Sequence, residues 1–317
     1  MKFSIIIAAY NLGELICDAI ESCINQVNIS STEFEIITIN DGSTDNTLDY
    51  INRYRNIKNH IIINKSNGGL SQTRNYGIKQ AKGDYILFLD GDDWLATDAL
   101  SKLLNHSTIK YDVIAFPMLY YYDENNLKQK LFLVNGTYSN EKFINLTIGK
   151  KLFNIIPAPK KIYRRSFLLE NNIFFIEGIL HEDNPFFIDV MSICKEILFI
   201  NEPIYIYRQN REGSITSVCN IKNFEGTIKG IEHIKKTHIA KNSDVQFLIS
   251  NLYVFQAIGN YSSKKEKQLV YKYYRSLNKK IELVKLLFTA KFDIKAFICN
   301  TLLAIDPAFL NYVIHKL

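Results

Sequence analysis

The first hundred residues alternate between short apolar runs and segments of helical spacing, and no other feature of the chain constrains its fold as much. Four of the runs are rich in isoleucine and have the composition of interior strands: FSIIIAAY, FEIITIN, HIIIN and DYILFLD. Between them, apolar residues recur three and four positions apart, as on the inner face of a helix. Strands that alternate with helices indicate βαβ units. The sequence therefore predicts an α/β fold with a mainly parallel sheet flanked by helices.

The remaining sequence predicts a continuation of this domain, followed by a helical extension. We expect strands at YDVIAF and KKIYRR, and a hairpin or irregular segment over 118–138. Beyond about residue 217 the apolar spacing is helical to the end of the chain. We therefore divide the chain into one domain over 1–217 and a basic, mainly helical C-terminal region over 218–317.

The basic excess of the chain belongs to its last third. The formal net charge is +6, yet residues 220–317 alone carry 16 Lys and Arg against 7 Asp and Glu. The region contains no nucleic-acid recognition module, so we expect no nucleic-acid partner. An anionic membrane surface, an anionic or lipid-diphosphate ligand, a homodimer contact and a solvated lysine face all remain open as interpretations. Peripheral association with a membrane is the hypothesis that we carry forward.

Cysteine usage and the most apolar segments predict a cytoplasmic protein. The five cysteines form no C-x-x-C pair, as is typical of buried thiols in a reducing compartment. The N-terminal MKFSIIIAAYN lacks the long apolar region and the cleavage site of a signal peptide. Lysine and aspartate interrupt the apolar stretch over 281–305, which falls short of an uncharged span of roughly 20 residues. A location on the inner face of the plasma membrane would require the basic C-terminal region to bind lipid.

Polar residues and glycines follow each of the four predicted strands. In an open α/β sheet, ligands bind outside the carboxyl ends of the strands, which meet at one edge. At this edge we expect Tyr10, Asn11, Asp41, Gly42, Ser43, Asn67, Gly68, Gly69, Asp90, Gly91, Asp92 and Asp93. The Asp41 carboxylate can accept hydrogen bonds from a base or ribose, and the glycine pair lets N–H groups approach a ligand. Arg74, one helical turn further on, is expected to pair with a phosphate.

Three carboxylates surround one glycine at the end of the fourth run, in DYILFLDGDDW. Like charges this close repel one another unless a cation lies between them. Carboxylate oxygens suit Mn²⁺ or Mg²⁺, which take one or two protein carboxylates and add phosphate oxygens. We expect Asp92 to bind the metal, Asp90 to lie nearer the ribose or to support the metal through water, and Asp93 to support them or cap the next helix. The alternative is an acidic surface turn, which the polar residues at the other strand ends disfavour.

Four ordered motifs resemble those of the family 2 glycosyltransferases, whose catalytic domain has the GT-A fold: SIIIAAYN, INDGSTDNT, NGGLSQTRNYGI and FLDGDDW. The resemblance is close over the first hundred residues and looser to about residue 217. It implies transfer of a sugar from a nucleotide diphosphate donor, usually a UDP-sugar, with inversion at the anomeric carbon and Mn²⁺ or Mg²⁺ as cofactor. Ala8 replaces the proline of the family's P-x-Y-N pattern, which removes some rigidity. We still expect Ala8 to line the donor site.

The same resemblance divides the first domain into a donor-binding half, about 1–117, and an acceptor half, about 118–217. An inverting displacement needs a base that takes the proton of the acceptor hydroxyl. The segment GILHEDNPFF resembles the family's E-D motif, which implies Asp183 as the base and Glu182 as the residue that positions the acceptor. The alternative is that Asp183 only caps a helix that begins at Asn184 and Pro185.

The segment YIYRQNREGSIT resembles the part of related transferases that closes the donor site. This resemblance implies that Arg208 and Ser214 contact the diphosphate, and an ordinary strand followed by a loop is the alternative. Trp94 is expected in the core rather than beside the acceptor.

The leading hypothesis is an inverting, metal-dependent glycosyltransferase that extends a surface glycan of the capsule, lipopolysaccharide or teichoic acid type. Its partners would be a nucleotide-sugar donor and a glycan acceptor, with a lipid-linked acceptor and a homodimer left open. A sugar-phosphate nucleotidyltransferase is disfavoured, because AAYNLGEL lacks the glycine-rich, arginine-containing loop of those enzymes. A non-catalytic sugar-nucleotide-binding or scaffold protein remains the alternative from another class.

Overall fold

The computed structural model describes residues 1–107, 111–122, 127–129, 135–149, 156–209, 221–242 and 264–276, with residues 245, 246, 248, 249 and 252 in addition. The chain forms two compact units that are interleaved along the sequence. The first contains Met1–Phe143, Asn154–Gly178 and Ile193–Arg211, and the second contains Ile144–Phe153, Ile179–Ser192 and Glu212–Leu317. The boundary predicted near residue 217 lies outside the described residues and stays a prediction.

The first unit contains the predicted alternation of strands and helices. Its strands are β1 (Phe3–Ala9), β2 (Phe34–Asp41), β3 (His60–Lys65), β4 (Tyr85–Asp90), β5 (Trp94–Leu95), β6 (Val113–Ala115), β7 (Met118–Tyr121), β8 (Leu127–Gln129), β9 (Gly136–Ser139), β10 (Lys161–Arg164), β11 (Glu196–Phe199) and β12 (Tyr205–Arg208). Its helices are α1 (Ile16–Ile24), α2 (Thr47–Asn52), α3 (Leu70–Gln80), α4 (Ala99–His106), α5 (Asn140–Ile144) and α6 (Arg165–Glu170).

Within the described residues, eight strands form the main sheet in the order β3-β2-β1-β4-β10-β6-β11-β9. The first four of these strands are parallel to one another. β10 is antiparallel to both of its neighbours, and β9 is antiparallel to β11. The predicted α/β fold with a mainly parallel sheet flanked by helices is confirmed, and the carboxyl ends of β1 to β4 meet at one edge.

A smaller sheet has the order β5-β12-β7-β8. β7 and β8 are antiparallel, which confirms the hairpin expected over 118–138 for its described part. β12 pairs with β5, so that Ile206 lies opposite Trp94. This pairing brings a strand from late in the chain beside the residues that follow β4.

The core of the first unit explains why its strands are uninterrupted apolar runs. Every residue of β2 is buried, as are the first five of β4, because both faces of the sheet are covered. Helices α1 and α4 contribute Ile16, Ile20 and Leu100 to the same hydrophobic cluster as the strands. Full burial of such a side chain contributes about 1.5–3 kcal/mol, so this core is sufficient to hold the strand ends in place.

The second unit is described mainly through three helices. They are α7 (Asp183–Ile193), α8 (Ile221–Ile234) and a helix over Lys264–Ser276. α8 packs on the segment before α7, where an added Cβ at Gly226 would lie 3.0 Å from the Cα of Ile179. These helices agree with the helical extension predicted for the C-terminal region, within the part that is described. None of the described helices combines the length and apolar character needed to cross a membrane.

Candidate active site

The ends of the four parallel strands carry the residues that the sequence places at a common edge. In the register of β1 with its neighbours, Ala8 lies opposite Asp90 and Ala9 opposite Asn40. Asp41 in turn lies opposite Lys65 of β3. The donor-site residues predicted on these strands therefore share one edge of the sheet, and their contacts with a ligand stay predictions.

Two loops at this edge are fastened to each other. The Asn11 N–H donates to Ser43 Oγ at 3.1 Å, and the Thr44 N–H donates to Asn11 Oδ1 at 2.9 Å. Gly13 N–H donates to the Asp45 carboxylate at 3.1 Å. Burial acts to raise the pKa of Asp45, but the hydrogen bonds from Thr47 and Gly13 together hold this pKa below its usual value. The network fixes Asn11 and Ser43, and it leaves the neighbouring Tyr10 45% exposed.

The Asp41 carboxylate accepts hydrogen bonds from other residues of the protein. Its Oδ1 accepts from the Gly68 N–H at 2.9 Å and from the Lys65 ammonium, and its Oδ2 accepts from the Gly69 N–H at 2.8 Å. Asp41 is only 3% exposed. In this arrangement the Asp41 carboxylate and the two glycine N–H groups bind each other rather than face a ligand. Asp41 thus joins the end of β2 to the start of α3.

Gly42 and Asn67 touch closely behind this contact. Gly42 has a φ of +67°, and an added Cβ there would lie 2.6 Å from the Asn67 backbone nitrogen. The Asn67 side chain donates to the Asp41 carbonyl at 2.9 Å. Both residues were predicted to contact the donor, and both have a structural role in the loop as well.

Arg74 lies beneath the strand-end cluster. It is 2% exposed, and its guanidinium donates to Asp90 Oδ1 at 2.8 Å. The rings of Phe88 and Phe175 lie 5.8 and 5.2 Å from it. This ion pair fixes the orientation of the Asp90 carboxylate. The expected pairing of Arg74 with a phosphate stays a prediction.

Gly91 lies close to the carboxyl end of β1. An added Cβ would lie 2.4 Å from Leu12 Cδ1 and 2.8 Å from the Ala8 carbonyl oxygen. Side chains at this position are therefore excluded by packing. The glycine between Asp90 and Asp92 is required by the fold, whatever its contact with a donor.

Asp93 is the buried member of the aspartate cluster. It is 1% exposed, and its carboxylate accepts from the Tyr205 hydroxyl at 2.6 Å and from the Arg208 N–H at 2.8 Å. Burial first, and then the charges of Asp90 and Asp92, raise the pKa of Asp93 well above its usual range. Asp93 was predicted either to support Asp90 and Asp92 or to cap the next helix. Its buried hydrogen bonds agree with the supporting role. The capping role is wrong, because α4 begins only at Ala99.

Arg208 is held at the same place by several contacts. Its Nε donates to the Asp92 carbonyl at 2.9 Å, and its guanidinium also pairs with Asp18. The guanidinium lies 4.6 Å from the Trp94 ring centroid. Trp94 is partly exposed and packs edge-on against Tyr121, so it lies beside the cluster and the expectation of a core position is corrected. The structure thus brings Arg208 to the predicted metal site.

The aspartate pair fits a divalent cation. Asp90 and Asp92 are partly exposed at the strand end, and after burial their charges are the next causes that raise the pKa of Asp93. Within the described residues, no group of three or more His, Cys, Asp or Glu side chains forms a metal site. Two carboxylates with substrate phosphates are the usual environment of Mg²⁺, so Asp90 and Asp92 could hold it or Mn²⁺.

Glu182 and Asp183 belong to the second unit. Glu182 is 8% exposed, and Asp183 is the first residue of α7, two positions before the predicted start at Pro185. His181 before them has a φ of +58°, a left-handed conformation that is uncommon outside glycine. Burial lowers the pKa of His181, and the charge of Asp183 opposes this shift. The roles of Asp183 as base and Glu182 in acceptor positioning stay predictions, and Ser214 lies outside the described residues.

Sequence reasoning missed Tyr205, Asp18 and Lys65 as members of the site. Tyr205 and Tyr207 lie two positions apart on β12 and therefore on the same face of the strand, so the strand pattern alone does not identify Tyr205 as the buried partner of Asp93. Asp18 and Lys65 carry no sequence signal either, because their partners are distant in sequence.

Comparison with known proteins assigns the family. The model of glycosyl transferase family 2 matches residues 4–170. The chain is 32% identical over 237 residues to a poly(ribitol-phosphate) beta-glucosyltransferase of Bacillus spizizenii. This match covers 73% of this chain and 36% of that protein. It is 32% identical over 221 residues to the poly(ribitol-phosphate) beta-N-acetylglucosaminyltransferase TarS of Staphylococcus aureus, covering 67% and 36%. The chain thus spans about a third of the length of these two relatives.

Solved structures show the same architecture. The crystal structure of residues 1–349 of S. aureus TarS in complex with UDP-GlcNAc has a TM-score of 0.69 and 20% identity, and the match covers 94% of this chain and 89% of that one. This likeness confirms the predicted GT-A fold. Because the family model matches more than half of the residues, the chain belongs to glycosyltransferase family 2.

Proposed function

We propose that the chain is an inverting, metal-dependent glycosyltransferase that moves a sugar from a UDP-sugar to a hydroxyl of a teichoic-acid-type surface glycan. The observation that carries this proposal is the pair Asp90 and Asp92 at the edge where four parallel strands end. Arg74 orients the first carboxylate, and the buried Asp93 fixes the loop that carries both. A site held so firmly is preorganised for a cation and a diphosphate.

The nucleotide would lie along the ends of β1 to β3. Tyr10 presents an exposed ring for stacking on a base, and its neighbour Asn11 is fixed by Ser43. The TarS structure with UDP-GlcNAc, which shares the fold, supports a UDP-linked donor. Asp41 would then shape this part of the site through Gly68 and Gly69, unless donor binding frees its oxygens.

Asp90 and Asp92 would hold Mn²⁺ or Mg²⁺. A bound divalent cation supplies Lewis-acid stabilisation of the departing diphosphate. Arg208 adds a fixed positive charge beside Asp92, and its stacking on Trp94 limits the orientations of the guanidinium. The chain's own contribution is therefore a rigid acidic pair with Arg74 beside Asp90 and Arg208 beside Asp92.

Asp183 would take the proton of the acceptor hydroxyl, with Glu182 binding the acceptor. Asp183 lies in the first turn of α7, and the left-handed conformation of His181 two residues earlier fixes the direction in which the chain enters this helix. Inversion requires only one displacement, so one base and one stabilised leaving group complete the reaction.

The names of the relatives support the acceptor class. Two act on poly(ribitol-phosphate), and a third, 30% identical over 223 residues, is the minor teichoic acid biosynthesis protein GgaB of Bacillus subtilis. A polyol-phosphate chain with free hydroxyls is the acceptor that we propose, at the cytoplasmic face of the membrane.

A transfer assay tests this proposal. The full chain is incubated with Mn²⁺, poly(ribitol phosphate) and, in turn, UDP-glucose, UDP-GlcNAc and UDP-galactose, and the product is examined by NMR. We expect release of UDP and a β-linked product with one of these donors. Asp183→Asn should abolish transfer while UDP-sugar binding persists, and Glu225→Gln, on an exposed carboxylate of the same unit, should leave both unchanged. An α-linked product would contradict inversion, and binding without transfer by the unmodified chain would favour the non-catalytic alternative.

A further inference from the structure

A second group of charged side chains lies at the edge of the main sheet opposite the aspartate cluster. It surrounds a hollow of about 150 Å³ where β1 and β4 begin and β10 ends. The charged side chains of its lining are Lys2, Lys82, Asp84, Arg164 and Arg165. Four cations against one carboxylate give this hollow a positive potential.

Two of the four cations have carboxylate partners. Lys2 Nζ lies 3.6 Å from Asp84, whose side chain is 65% exposed. Arg164 pairs with Asp112 and also donates to Ser166 Oγ at 2.6 Å. These contacts hold the walls of the hollow but leave its net charge positive.

The other two cations, Lys82 and Arg165, have no carboxylate partner within the described part of the chain. Arg165 Nε is buried, and no acceptor lies within hydrogen-bond distance of it among the same residues. A buried donor without an acceptor is destabilising, and native structures seldom retain one without a reason. The Arg165 guanidinium therefore retains hydrogen-bonding capacity that the described residues of the protein do not use, and Arg165 is one of the residues that line the hollow.

The backbone that carries these cations is fixed. The Lys82 N–H donates to Glu35 Oε1 at 2.6 Å, and the Gly83 N–H donates to Ser4 Oγ at 2.8 Å. An added Cβ at Gly83 would lie 2.5 Å from the backbone carbon of Phe3, so this turn rests directly on β1. The Arg165 N–H donates to the Asp84 carbonyl at 2.8 Å. Binding an anion here would need little reorganisation of the chain.

We propose that this hollow binds a phosphate ester through Lys82 and Arg165. A guanidinium fork and an ammonium are the usual partners of phosphate oxygens. The volume is about five times the ~30 Å³ share of one water, which leaves room for such a group. The phosphate belongs to a soluble polyol-phosphate chain or to a phospholipid headgroup, and the chemistry of recognition is the same for both. This site is separate from the donor site and does not depend on the proposed transfer reaction.

Titration of the full chain with inorganic phosphate tests the site. Calorimetry at constant ionic strength, set with chloride, compares the unmodified chain with Lys82→Gln, Arg165→Gln and the control Lys58→Gln, which removes an exposed cation elsewhere in the same unit. We expect saturable binding that weakens about tenfold or more in the first two variants, as for loss of a charge-assisted hydrogen bond, and stays unchanged in the control. Lys82 is exposed, so its variant remains informative if Arg165→Gln fails to fold. Absence of saturable binding, or equal affinity in all four proteins, would overturn the proposal.

Two further probes identify the source of the phosphate. Soluble poly(ribitol phosphate) and vesicles of phosphatidylglycerol are each titrated against the same proteins, with phosphatidylcholine vesicles as the uncharged control. Weakening by Lys82→Gln with the polymer assigns the site to a polyol-phosphate chain, and weakening with the vesicles alone assigns it to a headgroup. If neither probe distinguishes Lys82→Gln from Lys58→Gln, the site does not bind a phosphate ester and the proposal fails. UDP-sugar binding, measured in parallel, reports separately on the donor site.

Discussion

The hydroxyl of Tyr205 donates a 2.6 Å hydrogen bond to Asp93 and accepts one of 3.1 Å from the Asp90 N–H. Tyr205 is fully buried and Asp93 is 1% exposed, so neither contact is shared with water. Burial first, and then the charges of Asp93 and Asp90, raise the pKa of Tyr205 well above its usual value, which keeps it a donor. One side chain of β12 thereby fixes the loop on which the proposed metal site depends.

Replacing Tyr205 by phenylalanine should therefore destabilise the protein. The change leaves a buried carboxyl group without its shortest hydrogen bond, and we expect a loss of about 1–3 kcal/mol in the free energy of unfolding. Urea denaturation measures this loss. Tyr207→Phe, at an exposed position two residues further along β12, is the matched control and should change little. Equal effects of the two substitutions would show that the Tyr205 contact contributes nothing.

Arg74→Gln should destabilise the protein and weaken donor binding together. The guanidinium is buried, and its partner Asp90 has a side chain that is 32% exposed, so we expect about 1–3 kcal/mol, less than for a fully buried pair. The control is Lys102→Gln, which breaks the surface pair with Asp98 and should cost at most about 0.5 kcal/mol. Normal UDP-sugar affinity in a folded Arg74→Gln protein would mean that Arg74 does not orient Asp90 for function.

Gly91→Ala should be far less tolerated than Gly68→Ala. At Gly91 the new methyl group meets the Ala8 carbonyl, which cannot move without disturbing β1. At Gly68 it meets the amide of Gln72, the end of a flexible side chain that can turn away. Overpacking of this kind costs typically 1–3 kcal/mol, so we expect about that difference in unfolding free energy. Thermal unfolding of the two variants measures it, and similar midpoints would contradict the packing described around Gly91.

Protonation of His60 should lower the stability of the protein in mildly acidic solution. Burial lowers the pKa of His60, and a hydrogen bond to the Tyr54 carbonyl opposes this shift. Because the unfolded chain binds the proton at a higher pH, stability is full above about 6.5 and falls as the pH drops below that value. The difference in unfolding free energy between the unmodified chain and His60→Gln should become smaller as the pH is lowered below about 6.5. A flat profile for His60→Gln would contradict the prediction.

The parts of the fold that the sequence predicted are those encoded locally. Continuous apolar runs such as DYILFLD identify buried strands because both faces of the sheet are covered, and β4 occupies Tyr85–Asp90 of that run. The common edge of the strand ends follows from parallel pairing alone. Neither conclusion needs knowledge of a contact between distant residues.

The parts that the sequence did not predict depend on such contacts. Asp93 and Tyr205 are 112 residues apart, and only the pairing of β5 with β12 brings them together. The ion pair of Arg74 with Asp90, and the rings of Phe88 and Phe175 beside its guanidinium, were likewise not predicted. Side-chain direction within the core decides such cases, and periodicity alone does not supply it.

Calorimetric titration with a UDP-sugar tests the central claim most directly. UDP-glucose and UDP-GlcNAc are titrated into the unmodified chain, Asp92→Asn and the control Asp98→Asn, each with Mn²⁺ and with EDTA. We expect one donor to bind the unmodified and control proteins only when Mn²⁺ is present, and Asp92→Asn to lose this metal-dependent binding while it remains folded. Binding of the donor that is equally tight in EDTA, or unchanged in Asp92→Asn, would show that the aspartate pair is not the metal site.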